Sequence, residues 1–191
     1  MPSKVDPSRL VFVDEMGLHT SLATLYGYAP RGERVRLSVP RNRGKNTTLL
    51  ASIGLDGMGE TMAVEGSTDR WVFEAYVEHA LAPALRAGQV VIMDNLPAHK
   101  PARVRELIEE RGCKLIYLPA YSPDLNPIEE AFSKVKDMLR RAGARTKEAL
   151  LGYWAKRFRQ SAPETLEVTS SMPAIAHKSN YCETCCKLLV L

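Results

Sequence analysis

The segment Val90-Val91-Ile92-Met93-Asp94 constrains the fold more than any other part of the chain. Four apolar residues in succession, three of them β-branched, cannot alternate between a core face and a wet face. Such a run needs cover on both sides, which is the place of a central strand in a parallel sheet. A parallel neighbour requires a crossover, so helices must flank it. The chain supplies them on the C-terminal side. Pro101 opens a helix with Val104, Leu107 and Ile108 on one face and Gly112 at its end. Lys114–Leu118 reads as the next strand, and Ile128, Ala131, Phe132, Val135, Met138 and Leu139 recur at helical spacing after it. A last helix spans about Lys147–Gln160.

The N-terminal half reads differently. Leu10-Val11-Phe12-Val13 is a buried strand ending in Asp14. Thr20–Tyr28 continues as strand, Ala29-Pro30-Arg31-Gly32 is a turn, Arg34–Val39 is another strand, and Thr47–Leu55 is a further one closed by Asp56-Gly57. This predicts an antiparallel meander. Ser67 or Thr68 caps a helix running to about Ala87, in which Pro83 predicts a kink or an early end and Gly88 a stop. The expectation is therefore an α/β fold with antiparallel strands first, parallel strands later and helices on the flanks. It occupies residues 1–160, and 161–191 form a loosely held C-terminal tail.

The 191 residues, 45% of them apolar, suffice to bury one core. No stretch approaches the ~18 apolar residues of a membrane span, and the N-terminus lacks the apolar region of a signal peptide. The expected location is the cytoplasm, at the nucleoid of a bacterial cell. Three of four cysteines, Cys182, Cys185 and Cys186, crowd the C-terminus, which is no disulfide framework. With His177 they lack the second ligand pair of a zinc site, so reduced thiols are the better reading. The net charge of +4 permits a nucleic-acid partner. Arg31, Arg34, Arg36, Arg41, Arg43 and Lys45 stand against one acid, Glu33, and a second basic group holds Lys134, Lys136, Arg140, Arg141 and Arg145. These are either solvated faces or DNA-binding ones.

Asp14 and Asp94 each terminate an apolar run, and in open α/β sheets ligands bind at the carboxyl ends of strands. The competing reading is that Asp is a common turn starter. Glu129 also has two readings. Asn126 is a good N-cap, Pro127 fits the first turn, and Glu129 falls three residues after Asn126, as in a capping box. Its helical position, one residue after Ile128, also lets it look back at the sheet, while Glu130 turns a further ~100° toward solvent. Three carboxylates suit Mg²⁺, which takes oxygen ligands and keeps several waters. Two such ions serve phosphodiester cleavage and strand transfer.

Asp14, then Val-Ile-Met-Asp94-Asn95-Leu-Pro-Ala-His99, then Tyr-Ser122-Pro123-Asp124-Leu125-Asn126-Pro127-Ile128-Glu129, resembles the DDE transposases. It looks most like the bacterial insertion-sequence branch related to the Tc1/mariner elements, and the 34 residues between Asp94 and Glu129 match that branch. The resemblance covers about residues 8–160. It implies a ribonuclease H-like fold, with Asp14, Asp94 and Glu129 as catalytic metal ligands for two Mg²⁺ ions, Mn²⁺ substituting. It implies supporting roles for Asn95 and His99, although His99 equally fits a local hydrogen bond at a helix start. The implied reaction is hydrolysis at transposon ends, then attack of a 3′-hydroxyl on target DNA. Double-stranded DNA is the implied partner, acted on by a homodimer. Family members carry an N-terminal helix-turn-helix region, whereas about nine residues precede the first strand here, so a separate subunit or reading frame is expected to supply it. Two other readings stand beside this one: a folded remnant that binds DNA or a partner without chemistry, and another nuclease of the same fold acting on Holliday junctions or RNA–DNA hybrids.

Overall fold

The computed structural model describes residues 6–158, except 25, 40, 42–45 and 121. Five strands form one mixed sheet in the order β3-β2-β1-β4-β5. They are β1 (Leu10–Leu18), β2 (Thr47–Gly54), β3 (Gly57–Glu65), β4 (Val90–Met93) and β5 (Lys114–Tyr117). β1, β2 and β3 pair antiparallel, while β4 lies parallel to β1 and β5 parallel to β4. The expected succession of antiparallel and then parallel strands is what the chain adopts.

Helix α1 (Arg70–Tyr76) passes through a π-helical stretch (Val77–Leu81) into a short α2 (Ala82–Ala84); α3 (Ala102–Glu109), α4 (Ile128–Ala142) and α5 (Lys147–Phe158) follow. The two sides of the sheet are covered by different helices. Val11, Val13, Val91, Met93 and Leu115 pack with Phe73, Tyr76, Val104 and Ile108 of α1 and α3. Met16, Leu18, Leu49 and Ala51 pack with Ile128, Phe132, Val135 and Leu139 of α4 and with Leu150, Leu151 and Trp154 of α5. Strand alternation sorts these sets: odd residues of β1 face α1 and α3, and even residues face α4. Asp14 therefore belongs to the α4 side.

Four local expectations are corrected. Thr20–Tyr28 and Arg34–Val39 are not strands among the described residues. The apolar residues of Arg34–Val39 alternate, but among the described residues neither segment joins the sheet, and Tyr26, Tyr28, Val35 and Leu37 are exposed rather than packed on a core. β3 was unread, although Asp56-Gly57 marks the hairpin that leads into it; Gly57 has φ +110°. The first helix is capped by Asp69, whose side chain accepts from the Val72 N–H at 2.9 Å, rather than by Ser67 or Thr68. It ends at Ala84, before Ala87, the early end that Pro83 predicts. Pro83 has no N–H and would press on the His79 carbonyl in a regular helix. The wider register before it, closed by the Ala82 N–H on the Val77 carbonyl, makes room.

Candidate functional site

Asp14 is not at the end of β1 but within it. The apolar run stops there, yet the strand continues to Leu18 because β2 stays paired, Asp14 opposite Ala51 and Leu18 opposite Thr47. What ends at Asp14 is the parallel pairing. The last matched row of β1 and β4 is Val13 with Met93, so the next row brings Asp14 and Asp94 side by side on the α4 side of the sheet. Glu129 reaches the same place from the first turn of α4. All three carboxylates line one cavity of about 350 Å³, together with Asn95, Leu96, Leu118, Ser122 and Asn126.

Glu129 does not close a capping box. The position before α4 is Pro127, with no side-chain cap, and the Asn126 side chain has left the helix end. Its Nδ2 donates to Asp14 Oδ2 at 2.8 Å, and it is buried. Asn126 is the site residue that the sequence reading missed. An Asn before a helix suits either role, and the choice is made by an aspartate 112 positions away. Its Oδ1 is buried without a partner, a cost that a cap at the surface would avoid.

The aspartates have different surroundings. Asp14 is 7% exposed. Its Oδ1 accepts from the Glu15 N–H at 2.7 Å. Burial pushes its carboxyl up to about 6; the Glu15 N–H opposes this, while the charges of Asp94 and Glu129 add to it. Among the described residues, no Lys or Arg lines the cavity. Asp94 is half-buried, and burial also works to raise it. His99, the Leu96 N–H at 3.2 Å and Lys100 outweigh that and hold it below the ordinary aspartate value. His99 Nδ1 bonds Asp94 Oδ1 directly. The imidazole is wholly buried and stacks on Phe73 with ring centroids 4.1 Å apart. The Tyr117 hydroxyl donates to the His99 carbonyl at 3.0 Å. The local hydrogen bond anticipated for His99 is thus made to Asp94 itself.

Among the described residues, no three His, Cys, Asp or Glu side chains are drawn together tightly enough to ligate a single ion. The three carboxylates face a shared space instead. An all-oxygen set, with Asp14 left poorly compensated, around a cavity with room for water and phosphate oxygens fits a hard divalent cation, which binds through one or two carboxylates plus such ligands.

The basic residues separate. Arg31, Arg34, Arg36 and Arg41 are exposed and do not line the cavity. Arg43 and Lys45 lie outside the described residues, as do His177, Cys182, Cys185, Cys186 and the proposed tail at 161–191. Lys134, Lys136, Arg140 and Arg141 all lie on α4. Cys113 is a buried free thiol.

The chain is similar to several known proteins. The Tcb1 transposase of Caenorhabditis briggsae is 33% identical over 87 residues, which is 44% of this chain and 32% of that protein. The chain thus spans about a third of the length of this curated relative. The Mos1 transposase paired-end complex with left transposon end superposes with a TM-score of 0.66 at 22% identity, over 80% of this chain and 48% of that one. The mariner Mos1 paired end complex with Mg superposes with a TM-score of 0.63 at 20% identity, over 82% and 50%. This likeness gives the fold, which is ribonuclease H-like, as the sequence resemblance implied. The family described as DDE superfamily endonuclease matches residues 9–151, a span that holds Asp14, Asp94 and Glu129. The chain belongs to the DDE superfamily of endonucleases.

Proposed function

We propose that this chain is the catalytic domain of a DNA transposase, which cuts phosphodiester bonds at transposon ends and joins the freed strand to target DNA. Asp14, Asp94 and Glu129 are its catalytic residues and would hold two divalent cations, Mg²⁺ or in its place Mn²⁺. The observation that supports this most is the convergence of carboxylates from β1, from the end of β4 and from α4 on one cavity, with Asp14 buried and, among the described residues, no Lys or Arg in the cavity lining. Such ions supply an activated attacking oxygen and stabilise the departing one.

The chain's own residues fix where that happens. Glu15 N–H and Asn126 hold the two oxygens of Asp14. His99, clamped by Phe73, turns Asp94 toward the cavity, and Leu96 N–H keeps it there. Asn95, exposed on the cavity wall, is placed to meet a phosphate. In the first reaction a water oxygen bonds to phosphorus as the bond to the 3′-oxygen breaks, freeing a 3′-hydroxyl. In the second, that hydroxyl attacks a target phosphodiester, one bond forming as another breaks. No external energy source is needed.

Double-stranded DNA is the substrate, at transposon ends and at the target. The working unit is a homodimer, and a helix-turn-helix region recognises the element ends. Action on DNA sets the protein in the cytoplasm, at the nucleoid. Among the described residues, no helix is long and apolar enough to cross a membrane.

The test is nicking of duplex DNA carrying the element ends, with Mg²⁺, with Mn²⁺ and with chelator. Cleavage that needs the metal and is lost in Asp94→Asn, with the fold unchanged by circular dichroism, is the expected result. Metal-independent cleavage, or full Mn²⁺-dependent nicking by the mutant, would overturn the assignment. Sequence-independent DNA binding without any cleavage would favour the remnant reading.

A further inference from the structure

Helix α4 starts beside Asp14 and runs toward the far end of β1, where Arg145, just past the helix, donates to the Leu22 carbonyl at 2.9 Å. It therefore covers Met16 and Leu18 and leaves the other end of the sheet outside its reach. One row at that end crosses all five strands. Met58 pairs with Ile53, Ile53 with Phe12, Phe12 with Ile92, and Ile92 with Ile116. Paired residues share a face, and Phe12 stands two residues before Asp14, so the whole row faces the α4 side. All five side chains are apolar and none is buried: Ile116 is 49% exposed and the others are half-buried.

The row opens into a hollow of about 200 Å³ lined by Pro7, Leu10, Phe12, Ile53, Leu55 and Pro127, and among the described residues no charged side chain lines it. Apolar residues scattered singly over a surface need no explanation, but a contiguous strip marks a place where something docks. Its size limits what that is. Four strand spacings make the row about 19 Å long, and it is about one helix wide, ~10 Å. The strip is then on the order of 200 Å², far below the roughly 800 Å² that each partner of a stable complex contributes. A second copy of the chain needs more surface than this. One segment of chain, about 13 helical or about six extended residues long, fills it.

Helix α5 brings the chain to this place. Its first residue, Lys147, bonds Glu65, the last residue of β3, at 2.5 Å. Thr146 caps it by accepting from the Ala149 N–H at 3.1 Å. A helix joined to α4 by so short a turn, and packed in the same layer, returns antiparallel to it. α5 thus heads from the Glu65 end of β3 toward the Met58 end, where the row begins. Residues 159–191 follow, with Leu166, Val168, Met172 and Ile175 among them. We infer that this following segment closes over the apolar row from Met58 to Ile116 and fills the hollow beside Pro127. Two observations carry the inference: the size of the uncovered strip, and the direction in which α5 hands on the chain. Pro127 lines the hollow, whereas Asn126 and Glu129 line the carboxylate cavity, so the closed segment braces the start of α4.

The experiment places the photocrosslinking residue p-benzoylphenylalanine in the whole chain at Ile116, in a second protein at Leu55, and in a third at Trp71. Trp71 is 59% exposed on α1, which packs on the other side of the sheet, and serves as the control. Circular dichroism melts establish that each protein folds. After illumination, denaturing gels separate crosslinks within one chain from those between chains, and peptide mass spectrometry identifies the residues joined. The inference expects crosslinks within one chain, from Ile116 and from Leu55 into residues 159–191, in a yield several-fold above that from Trp71.

Crosslinks between chains at Ile116 and Leu55 would overturn the inference and give the strip to a second copy. Chains that stay single with nothing joined to residues 159–191 would overturn it too, because the strip then faces solvent. So would an equal yield from Trp71, because the segment would then touch both sides of the sheet without preference. If the Ile116 protein fails to fold, the Leu55 protein decides alone, since Leu55 is 70% exposed at the hairpin between β2 and β3. None of these outcomes bears on metal-dependent nicking, which tests the proposed function separately.

Discussion

The ends of the parallel pairing on β1 and β4 are neighbouring rows of one sheet, and each puts an aspartate on the same side, yet the two carboxylates are treated in opposite ways. After Asp94 the chain leaves the sheet and folds back, so a backbone N–H and a buried imidazole from the following five residues reach it. After Asp14 the chain stays in the sheet. Its backbone is committed to β2, and the local chain offers only the N–H of Glu15. The remaining donor must come from far away, and it is Asn126. Asp94 is therefore kept charged by the protein, whereas Asp14 carries a charge that the protein leaves poorly compensated. A cation brought into the cavity would supply what Asp14 lacks, while His99 and the Leu96 N–H hold Asp94 in position to share it.

The largest effect that tests this contrast is on stability without metal. The folded-state value of Asp14 is raised, so its contribution is fully present below the unfolded value near 3.8 and is lost as pH rises through about 6. The metal-free protein should weaken across that window. Asp14→Asn should remove the loss and be more stable than wild type at pH 7, by on the order of 2 kcal/mol. Asp94 is lowered, so its contribution is present above 3.8 and is lost as pH falls through its lower value. Asp94→Asn should therefore destabilise. Denaturant unfolding in chelator from about pH 2 to 8 reads both signs. Two shifts in the same direction would break the contrast.

Next in size is the support of Asp94. His99→Leu keeps an apolar body against Phe73 but removes the bond to the carboxylate. Metal-dependent cleavage should fall about 10–100-fold, the usual cost of losing an orienting partner behind a metal ligand. His99→Gln, which can still donate, should recover part of it. Cleavage rates at saturating metal decide, and an unaffected His99→Leu rate would show that Asp94 needs no orientation. A smaller effect is expected at the other end. Asn126→Ala frees one oxygen of Asp14 but leaves the Glu15 N–H in place, and should weaken Mg²⁺ binding by about tenfold. Calorimetric titration with Mg²⁺ measures it. Affinity equal to wild type would mean that β1 alone fixes Asp14.

The fold was legible where residues speak for their own surroundings. The Val90–Met93 run needs burial on both faces wherever it sits, and the stripes of α3 and α4 carry the period of a helix. It was illegible where a segment's fate depends on a partner. Arg34–Val39 has the alternation of a strand, but among the described residues it is no part of the sheet and its apolar side chains stay exposed. Asn126 has the chemistry of a cap but is taken by Asp14. The same limit explains why Asp14 looked like a strand end: the apolar run stops there, and only the register with β2 shows that the strand goes on. Asp94 and Glu129 were easier, because strand end and helix start are both local features.

The smallest effect belongs to the neighbouring acids at the start of α4, and it sharpens the contrast on the helix itself. Glu129 and Glu130 differ by one position and carry the same group. Glu129 lines the cavity. Glu130 lies a further 100° around the helix, bonds Lys134, and is held below the ordinary glutamate value by that lysine's hydrogen bond and charge. An exposed pair of this kind contributes little. Glu130→Gln should thus leave the cleavage rate within about twofold of wild type, because surface pairs rarely couple to chemistry. Glu129→Gln should abolish cleavage, because the cavity then loses one of its three anions. Both variants remove one charge from the first turn of the same helix, so any general effect on the helix dipole is common to them. A similar loss of rate in both would trace the requirement to the charge of the helix start rather than to the carboxylate that faces the cavity.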